Sequence, residues 1–452
     1  MSDPLWGKLK GSHDELAWPP LVGGPTAGLL SLARFLEDSQ WLSRDEISAR
    51  QHEQLVKLAE YSMRFSRSFR ERLKKAGLEP ADLREPANLS RLPLLSRRDL
   101  QKGDAYCVQP PKEHLPVNET KTSGSTGEPV TVKRTAITQL FWLAITLREY
   151  FWHERAFDLK LSAIRPTIPE YAETSNWGPP ANLLFETGPA QLIPITMSVE
   201  EIAQRLCAFA PNVLVIYPNV LTALIAQLKQ TAATLSSVKL IRSISETLSP
   251  ELKAGAREFF GARVIDNYSS QEVGVIAVQC PDSELYHTMS ESLIVEVLDE
   301  NGRACGEGET GRVVLTDLHN FATPMVRYDI GDYARAGGAC PCGRGLPTLE
   351  RVLGRERNLI LMPDGSRHWP LVGFARFRDV APVTQYQMVQ TSRDEIEVRL
   401  VTETPLSGGQ VSDLSDVIRE SLGHPFALRF VYFDERIPSG PRGKFEEFVS
   451  KV

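Results

Sequence analysis

Long apolar runs are absent from this sequence. No stretch of its 452 residues approaches the roughly 18 apolar residues that a membrane-spanning helix requires. The N-terminal segment MSDPLWGKLKGSHDE also lacks the apolar core of a secretory signal peptide. We therefore expect a cytoplasmic protein with no membrane partner.

An excess of positive charge is absent as well, since 51 Lys and Arg residues face 57 Asp and Glu residues. The formal net charge is −6, which argues against a nucleic acid or an anionic membrane surface as partner. The chain has no internal repeat and no low-complexity tract. With 42% hydrophobic and 24% charged residues, the composition is that of a globular protein. The length predicts about two or three domains.

Cysteine is scarce and unevenly distributed. Only six cysteines occur, and disulfides are not expected in a large cytoplasmic chain. Cys280, Cys340 and Cys342, together with His287, offer three thiolates and one imidazole, a set typical of structural Zn²⁺. Cys305 is the substitute ligand. The competing interpretation is a group of buried free cysteines beside a surface histidine.

The pattern of apolar residues predicts an α/β fold. Strand and helix patterns alternate from residue 199 onward, which indicates a largely parallel sheet covered by helices. The predicted strands are 212–217, 239–245 and 262–268, and the predicted helices are 200–209, 219–230 and 250–261. After residue 285 alternating strands follow one another, so we expect a β-rich subdomain.

Two further regions frame this one. Helical periodicity predicts helices over 47–77 and 136–155, with a short strand, TVKR, just before the second. Residues 357–452 combine two strands, a helix and a further strand. We expect this last region to form a small separate α+β domain.

A loop rich in Ser, Thr and Gly, TSGSTGEP (122–129), precedes the short strand. Glycines allow close approach of the backbone to an anion, and hydroxyl and N–H groups supply donors. The loop lacks the Gly-Lys-Ser/Thr ending of a Walker A loop. Taken alone, it is either a phosphate-binding loop or a surface turn. Lys133 and Arg134, which follow, are interpreted as solvated charges at a strand end.

The loop is the first of six motifs that occur in a known order. The others are ISETLSP (244–250), NYSSQEVG (267–274), RYDIGDYA (327–334), GRERN (354–358) and PSGPRGKFEEF (438–448). Together they resemble the signatures of the adenylate-forming superfamily of acyl- and aryl-CoA ligases, nonribosomal adenylation domains and luciferases. The segments LVKLAEYSMRFSRSFRERLKKAGLEPADL and CPCGRGLPTLERVLGR most resemble phenylacetate–CoA ligases and their capsule-biosynthesis and coenzyme-F390-synthetase relatives.

The resemblance implies a two-domain architecture. A large N-terminal adenylation domain would span residues 1–356, and a small mobile C-terminal domain, residues 357–452, would carry the catalytic lysine. The superfamily often has Gly-Arg-x-Asp-Asp at the hinge, but Arg357 and Asn358 replace the acidic pair here. This departure puts in question the usual domain rotation that precedes thioester formation.

The resemblance also implies roles for individual residues. Lys444 would bridge the attacking carboxylate and the α-phosphate, Glu272 would bind Mg²⁺, and Asp332 would bind both ribose hydroxyls. Tyr268 would stack on adenine, and Ser245 stands where relatives have a glycine. The residues implied to bind ATP or AMP are Thr122, Ser123, Gly124, Ser125, Thr126, Gly127, Ser245, Glu246, Thr247, Asn267, Tyr268, Ser269, Ser270, Asp332 and Arg355. The acyl pocket would be lined by Phe141, Tyr217, Pro218 and Ser245.

The activity implied is ATP-dependent conversion of an aryl or similar carboxylic acid to an acyl-AMP, followed by transfer to a thiol, with coenzyme A favoured. One alternative keeps adenylation but uses a carrier-protein thiol or an amine as acceptor, or transfers AMP itself. Another is a catalytically inactive nucleotide-binding scaffold, against which the joint presence of Glu272, Asp332 and Lys444 argues. A homodimer is implied by the resemblance alone.

Overall fold

A computed structural model describes most of the chain. The described residues are 8–12, 16, 18–102, 106–121, 130–153, 156–355, 360–365, 367–368, 377, 379–434, 437–438 and 448–452. No helix within these ranges is long and apolar enough to cross a bilayer. The predicted phosphate loop, the hinge pair at 357–358 and Lys444 lie outside the described residues.

Helices make up the N-terminal part of the chain. They are α1 (Pro25–Ser39), α2 (Arg44–Phe65), α3 (Arg67–Lys75), α4 (Pro86–Leu89) and α5 (Arg97–Gln101), with 3-10 turns at Pro80–Arg84 and Lys112–His114. The single helix predicted over 47–77 is two helices, because the backbone is extended at Ser66. The Ser66 hydroxyl accepts the Phe69 N–H and thereby caps α3.

A twelve-stranded sheet forms the centre of the fold. A two-stranded ribbon of β1 (Val117–Lys121) and β2 (Thr131–Thr135) precedes it. The twelve strands are β3 (Leu161–Arg165), β4 (Ala172–Thr174), β5 (Ala190–Pro194), β6 (Val213–Ile216), β7 (Leu240–Ser243), β8 (Arg263–Ser270), β9 (Gly274–Gln279), β10 (Tyr286–Thr288), β11 (Leu293–Leu298), β12 (Thr310–Asp317), β13 (Tyr328–Ala336) and β14 (Thr348–Arg355). Their order is β11-β12-β13-β14-β10-β9-β8-β7-β6-β3-β5-β4.

Helices connect and cover the strands. They are α6 (Ala136–Trp152), α7 (Ala181–Leu184), α8 (Val199–Phe209), α9 (Pro218–Gln230) and α10 (Pro250–Phe260). Side chains of β6 alternate between two cores. Val213 and Val215 pack with α1 and α6, whereas Leu214 and Ile216 pack with α8 and α9 on the other face. The sheet is thus covered on both sides.

The predicted alternation of strand and helix is confirmed. Strands β5, β3, β6, β7 and β8 run parallel. β8 is parallel to β7 and antiparallel to β9, and the strands from β8 to β11 then pair antiparallel in the order given. The predicted β-rich part is therefore confirmed, and it continues the same hydrogen-bonded sheet.

The C-terminal region has a sheet of its own. β15 (Ile360–Leu361) pairs with β16 (Arg367–His368), and β17 (Val383–Gln390), β18 (Glu395–Thr402), β19 (Ala427–Tyr432) and β20 (Phe448–Ser450) form a four-stranded sheet in the order β19-β18-β17-β20. Helix α11 (Gly408–Leu422) starts at a capping box between Ser407 and Gln410. Its inward face joins a core made only of residues from this region. The predicted α+β pattern is confirmed, while the boundary at 356 lies outside the described residues.

Candidate nucleotide and metal sites

Tyr268 and Asp332 come together although they are far apart in sequence. Tyr268 lies on β8 and Asp332 on β13, and the Tyr268 hydroxyl donates to Asp332 Oδ2 at 2.6 Å. Both side chains are buried. The hydrogen bond fixes the orientation of a carboxylate predicted to bind ribose. Most of the tyrosine ring is packed in the core of the antiparallel strands, so adenine stacking on it stays a prediction.

Asn267, beside Tyr268 on β8, has unmet hydrogen-bonding capacity. Its side chain is only 8% exposed, and neither the amide oxygen nor the amide nitrogen has a partner among the described residues. Leaving a buried polar group unsatisfied costs about 1–3 kcal/mol. An amide that both donates and accepts suits the polar edge of a bound purine. Ser269 and Ser270 follow directly, and Ser270 Oγ accepts the Val273 N–H at 3.3 Å in the turn before β9.

Glu272 lies in that turn between β8 and β9. Its side chain is 3% exposed, and Oε1 lies 3.6 Å from Nη1 of Arg97, the first residue of α5. Arg134 also interacts with this carboxylate electrostatically. Carboxylate oxygens are the ligands that a partly hydrated Mg²⁺ takes. The donor chemistry therefore fits the predicted ion.

The segment after β7 meets the start of α9. Ser245 has a left-handed backbone with φ of 67°, a conformation that glycine adopts more readily than serine. Glu246 Oε2 accepts the Asn219 N–H at 3.1 Å. The Tyr217 hydroxyl shares a hydrogen bond with Ser245, and burial raises the pKa of Tyr217. Three predicted residues, Tyr217, Pro218 and Ser245, thus lie at one sheet edge, with Thr247 two residues further along.

Phe141 lies in a different environment. Its ring stacks on His319, with centroids 3.9 Å apart and planes 16° from parallel. Burial lowers the pKa of His319 to about 4, so the imidazole is neutral at physiological pH. The structure records no contact that joins Phe141 to Tyr217 or Ser245 among the described residues, and its place in the acyl pocket stays a prediction.

Arg134 is a residue that the sequence interpretation treated wrongly. It is half-buried, and its guanidinium lies over the Trp142 ring at 4.6 Å from the centroid. Burial lowers the pKa of Arg134, while the negative charges of Asp317 and Glu272 raise it. The strand pattern could have indicated this burial. Val132 is buried, and alternation along β2 puts Arg134 on the same face.

The four predicted zinc ligands converge. Cys280 follows β9, His287 lies on β10, and Cys340 and Cys342 lie between β13 and β14. Their donor atoms all lie within 4.8 Å of one another. The Cys340 and Cys280 sulfurs are 3.6 Å apart, and Cys342 Sγ is 3.3 Å from His287 Nε2. Tetrahedral Zn–S bonds of about 2.3 Å would separate two sulfurs by about 3.8 Å, so the spacing fits.

The protonation states of His287 and Cys342 suit a metal, whereas Cys280 has to lose its proton when the metal binds. His287 Nδ1 contacts the Leu346 carbonyl at 3.1 Å, which leaves Nε2 directed at the sulfurs. Burial lowers the pKa of His287 to about 4 and raises that of Cys280 to about 11. Burial also opposes ionisation of Cys342, but hydrogen bonds from Arg344, Cys340 and Cys280 bring its pKa below the usual value. Cys305 is not part of the cluster.

Three comparisons with known proteins bear on the family and the fold of this chain. Residues 45–322 match the family described as AMP-binding enzyme. A phenylacetate–coenzyme A ligase of Thermus thermophilus is 23% identical, over 86% of this chain and 89% of the relative. The corresponding ligase of Escherichia coli is 24% identical, over 72% of this chain and 75% of the relative. A crystal structure of 2-hydroxyisobutyryl-CoA ligase with 2-HIB-AMP, in the postadenylation state, aligns with a TM-score of 0.72 at 16% identity and covers 97% of this chain and 95% of that one.

Proposed function

Because the chain belongs to the family of AMP-binding enzymes, we propose that it is an AMP-forming acid–coenzyme A ligase of the phenylacetate–CoA ligase type. In the first step a carboxylate attacks the α-phosphorus of ATP, the bond to the β-phosphate oxygen breaks, and pyrophosphate leaves. In the second, the coenzyme A thiol attacks the acyl-AMP, which releases AMP and a proton and leaves a thioester. Full-length relatives that carry out this type of ligation support the assignment.

One observation in the structure carries the nucleotide part of this proposal. A buried Asn267 with no hydrogen-bond partner among the described residues adjoins the Tyr268–Asp332 hydrogen bond. Asp332 would accept hydrogen bonds from the ribose hydroxyls, and Asn267 would bind the base. We place the base-binding segments at 245–247 and 267–270.

The remaining roles rest on the motifs. The loop at 122–127 would hold the β- and γ-phosphates through N–H and hydroxyl groups, and Arg355 would act near the hinge. Lys444 would orient the carboxylate against the α-phosphate, which requires the C-terminal domain, residues 357–452, to close on the large one. Such donors and cations stabilise the charge that develops on the phosphate oxygens.

Two metal ions belong to the proposal. Glu272 would hold Mg²⁺, which when bound neutralises charge on the phosphate oxygens. The Cys280, His287, Cys340 and Cys342 set would hold a Zn²⁺ with all four positions taken by protein, which suits a structural ion and not a catalytic one.

Exchange of labelled pyrophosphate into ATP tests the adenylation step. We expect acid-dependent exchange with at least one member of a panel of aryl acids. Lys444→Ala should abolish the exchange, whereas Lys451→Ala, an exposed lysine near the chain end, should leave it unchanged. Absence of exchange with every acid would refute the proposal and favour a nucleotide-binding scaffold.

The acceptor is tested separately. When coenzyme A is added to an exchanging acid, mass spectrometry should detect the acyl-CoA thioester together with AMP. A carrier-protein thiol or an amine remains the second candidate, and acyl-AMP that accumulates in the presence of coenzyme A would favour it. The cytoplasmic location and the homodimer stay predictions.

A further inference from the structure

The loop between β13 and β14 carries two of the four predicted metal ligands and also contacts the N-terminal helices. The Gly345 N–H donates to the Gln40 carbonyl at 3.0 Å. The two backbones lie so close here that a β-carbon at Gly345 would collide with the Leu42 carbonyl oxygen. The segment 40–43, which joins α1 to α2, is therefore packed directly against the loop that holds the metal ligands.

Arg344, in the same loop, has its guanidinium between two indole rings. The guanidinium carbon lies 4.9 Å from the centroid of Trp41 and 4.5 Å from that of Trp152. Its Nε donates to Gln40 Oε1 at 2.7 Å, and the same oxygen accepts the Trp152 indole N–H at 2.8 Å. The Asp282 carboxylate, 3.6 Å from Nη1, is exposed and offsets the charge only weakly. The Arg344 side chain is thus fixed between the segment 40–43 and α6.

The same side chains reach the predicted metal ligands. The Arg344 backbone N–H donates to Cys342 Sγ at 3.5 Å, and the guanidinium interacts with this sulfur as well. The Trp152 ring meets the His287 ring edge to face, with centroids 5.6 Å apart. A Zn²⁺ with three thiolates and a neutral imidazole would carry one net negative charge, which a nearby guanidinium stabilises. Arg344 therefore touches both the metal cluster and the segment 40–43.

We propose that Arg344 is a positioning residue that holds Cys342 for the metal and thereby couples metal binding to the packing of the segment 40–43. The inference rests on the metal site of the proposed function. Groups that orient metal ligands typically change metal affinity 10- to 100-fold when they are replaced. Because coupling is reciprocal, a bound metal stabilises the packing of this segment by as much as that packing strengthens metal binding.

The zinc dissociation constant, measured by competition with a chelator, tests the positioning role. Arg344→Met should weaken zinc binding about 10- to 100-fold, and Arg344→Lys, which keeps the charge, should recover part of the loss. Trp41 stacks on Arg344 from the exposed side, so Trp41→Ala should weaken zinc binding about fivefold through loss of one cation–π contact. Arg303→Met, which removes an exposed arginine elsewhere, should change nothing.

Two further measurements test the coupling. In the double variant, Trp41→Ala should change zinc affinity less than about twofold once Arg344→Met is present, because the two side chains act as one unit. Hydrogen exchange of residues 40–46 should rise when zinc is removed from the unmodified protein. In Arg344→Met the exchange of these residues should be fast with or without zinc.

The outcomes separate the inference from the metal site. Zinc affinity of Arg344→Met within about twofold of the unmodified protein would overturn the inference and leave the metal site intact. Additive effects of the two substitutions would also overturn it, because Trp41 would then act independently of Arg344. If Arg344→Met does not fold, Trp41→Ala at its exposed position decides, and unchanged zinc affinity there overturns the inference. An unmodified protein that binds no zinc would reject the metal site and the inference together.

Discussion

The candidate nucleotide site and the Cys/His cluster share strand β9, and they are built in different ways. Glu272 lies two residues before the start of β9, whereas Cys280 immediately follows its end. At the Cys280 end, four ligands from described residues converge on one point. The nucleotide candidates are more dispersed: Tyr268, which meets Asp332, and Asn267, with its unmet hydrogen bonds, lie on β8 opposite Ala277 and Val278, and the predicted phosphate loop and lysine come from other segments.

Buried polar side chains serve different purposes in the two sites. In a closed ligand set, every ligand atom has its partner once a metal binds, so the free energy of metal binding stabilises the fold. A site with unmet hydrogen bonds is completed by substrate, so its free energy goes into binding and catalysis. Substitutions of the metal ligands should therefore alter stability, and substitutions of the nucleotide-site residues should alter activity.

The largest effect is expected from the metal ligands. Cys342→Ser should abolish metal binding, which elemental analysis would report as a fall from about one zinc per chain to near zero. Structural zinc contributes about 10 kcal/mol in small domains, so the melting temperature should drop by several degrees. Cys207→Ser, an exposed cysteine on α8, is the matched control. Less than about half a zinc in the unmodified protein would contradict the site.

Among the residues that the structure describes, Asp332 should give the largest effect on activity. Asp332→Asn removes a charged acceptor for the ribose hydroxyls, and two such hydrogen bonds contribute about 3 kcal/mol or more, which lowers kcat/KM for exchange roughly 100-fold or more. Zinc content should not change. Glu350→Gln makes the same isosteric replacement at an exposed residue of β14 and should have no effect. Normal exchange by the Asp332 variant would remove this residue from the site.

Asp266 lies on β8 opposite the Cys280 end of β9. Its titration should affect the stability of the folded chain and not the activity. Burial raises its pKa to about 6 from 3.8, against a lowering hydrogen bond from Tyr286. The folded chain therefore holds this proton more tightly, and the resulting stabilisation is complete below about pH 4 and lost as the pH rises to 6. At about 1.4 kcal/mol per pKa unit, the contribution is at most about 3 kcal/mol.

Asp266→Asn imitates the protonated form and should flatten this pH dependence. Urea denaturation of the two proteins at intervals from pH 4 to 7 measures the difference. If the free energy of unfolding changes with pH equally in the two proteins, Asp266 titrates normally in the folded chain. Exchange activity serves as the control and should stay unchanged at neutral pH.

The smallest effect is expected from Tyr268→Phe. The variant keeps the packed ring but removes the hydroxyl that donates to Asp332 at 2.6 Å. One hydrogen bond to a charged group contributes about 1.5–3 kcal/mol, and water can replace part of it, so we expect a loss of about tenfold in kcat/KM. A larger rise in KM for ATP than fall in kcat would indicate that the hydroxyl positions Asp332 for ground-state binding.

The sequence supported the α/β class and the metal ligands because each signal was local or chemically distinctive. Strand and helix periods alternate clearly from residue 199, and three cysteines with one histidine have few structural uses. The break at Ser66 was hidden because both flanking helices share one apolar periodicity. Arg134 was misjudged because a charge beside a loop was assumed to be solvated.

The length of β9 limits how strongly a metal in the Cys/His cluster can affect Glu272. Six residues at about 3.3 Å each span about 20 Å, whereas charge is screened over about 8 Å at physiological ionic strength. A zinc held by three thiolates should therefore have little influence on the phosphate chemistry through its electric field. Any influence would be mechanical, through the placement of Glu272 by a strand clamped at its far end. Zinc and cadmium should accordingly support the same rate of exchange, because both ions would hold that end of the strand in place.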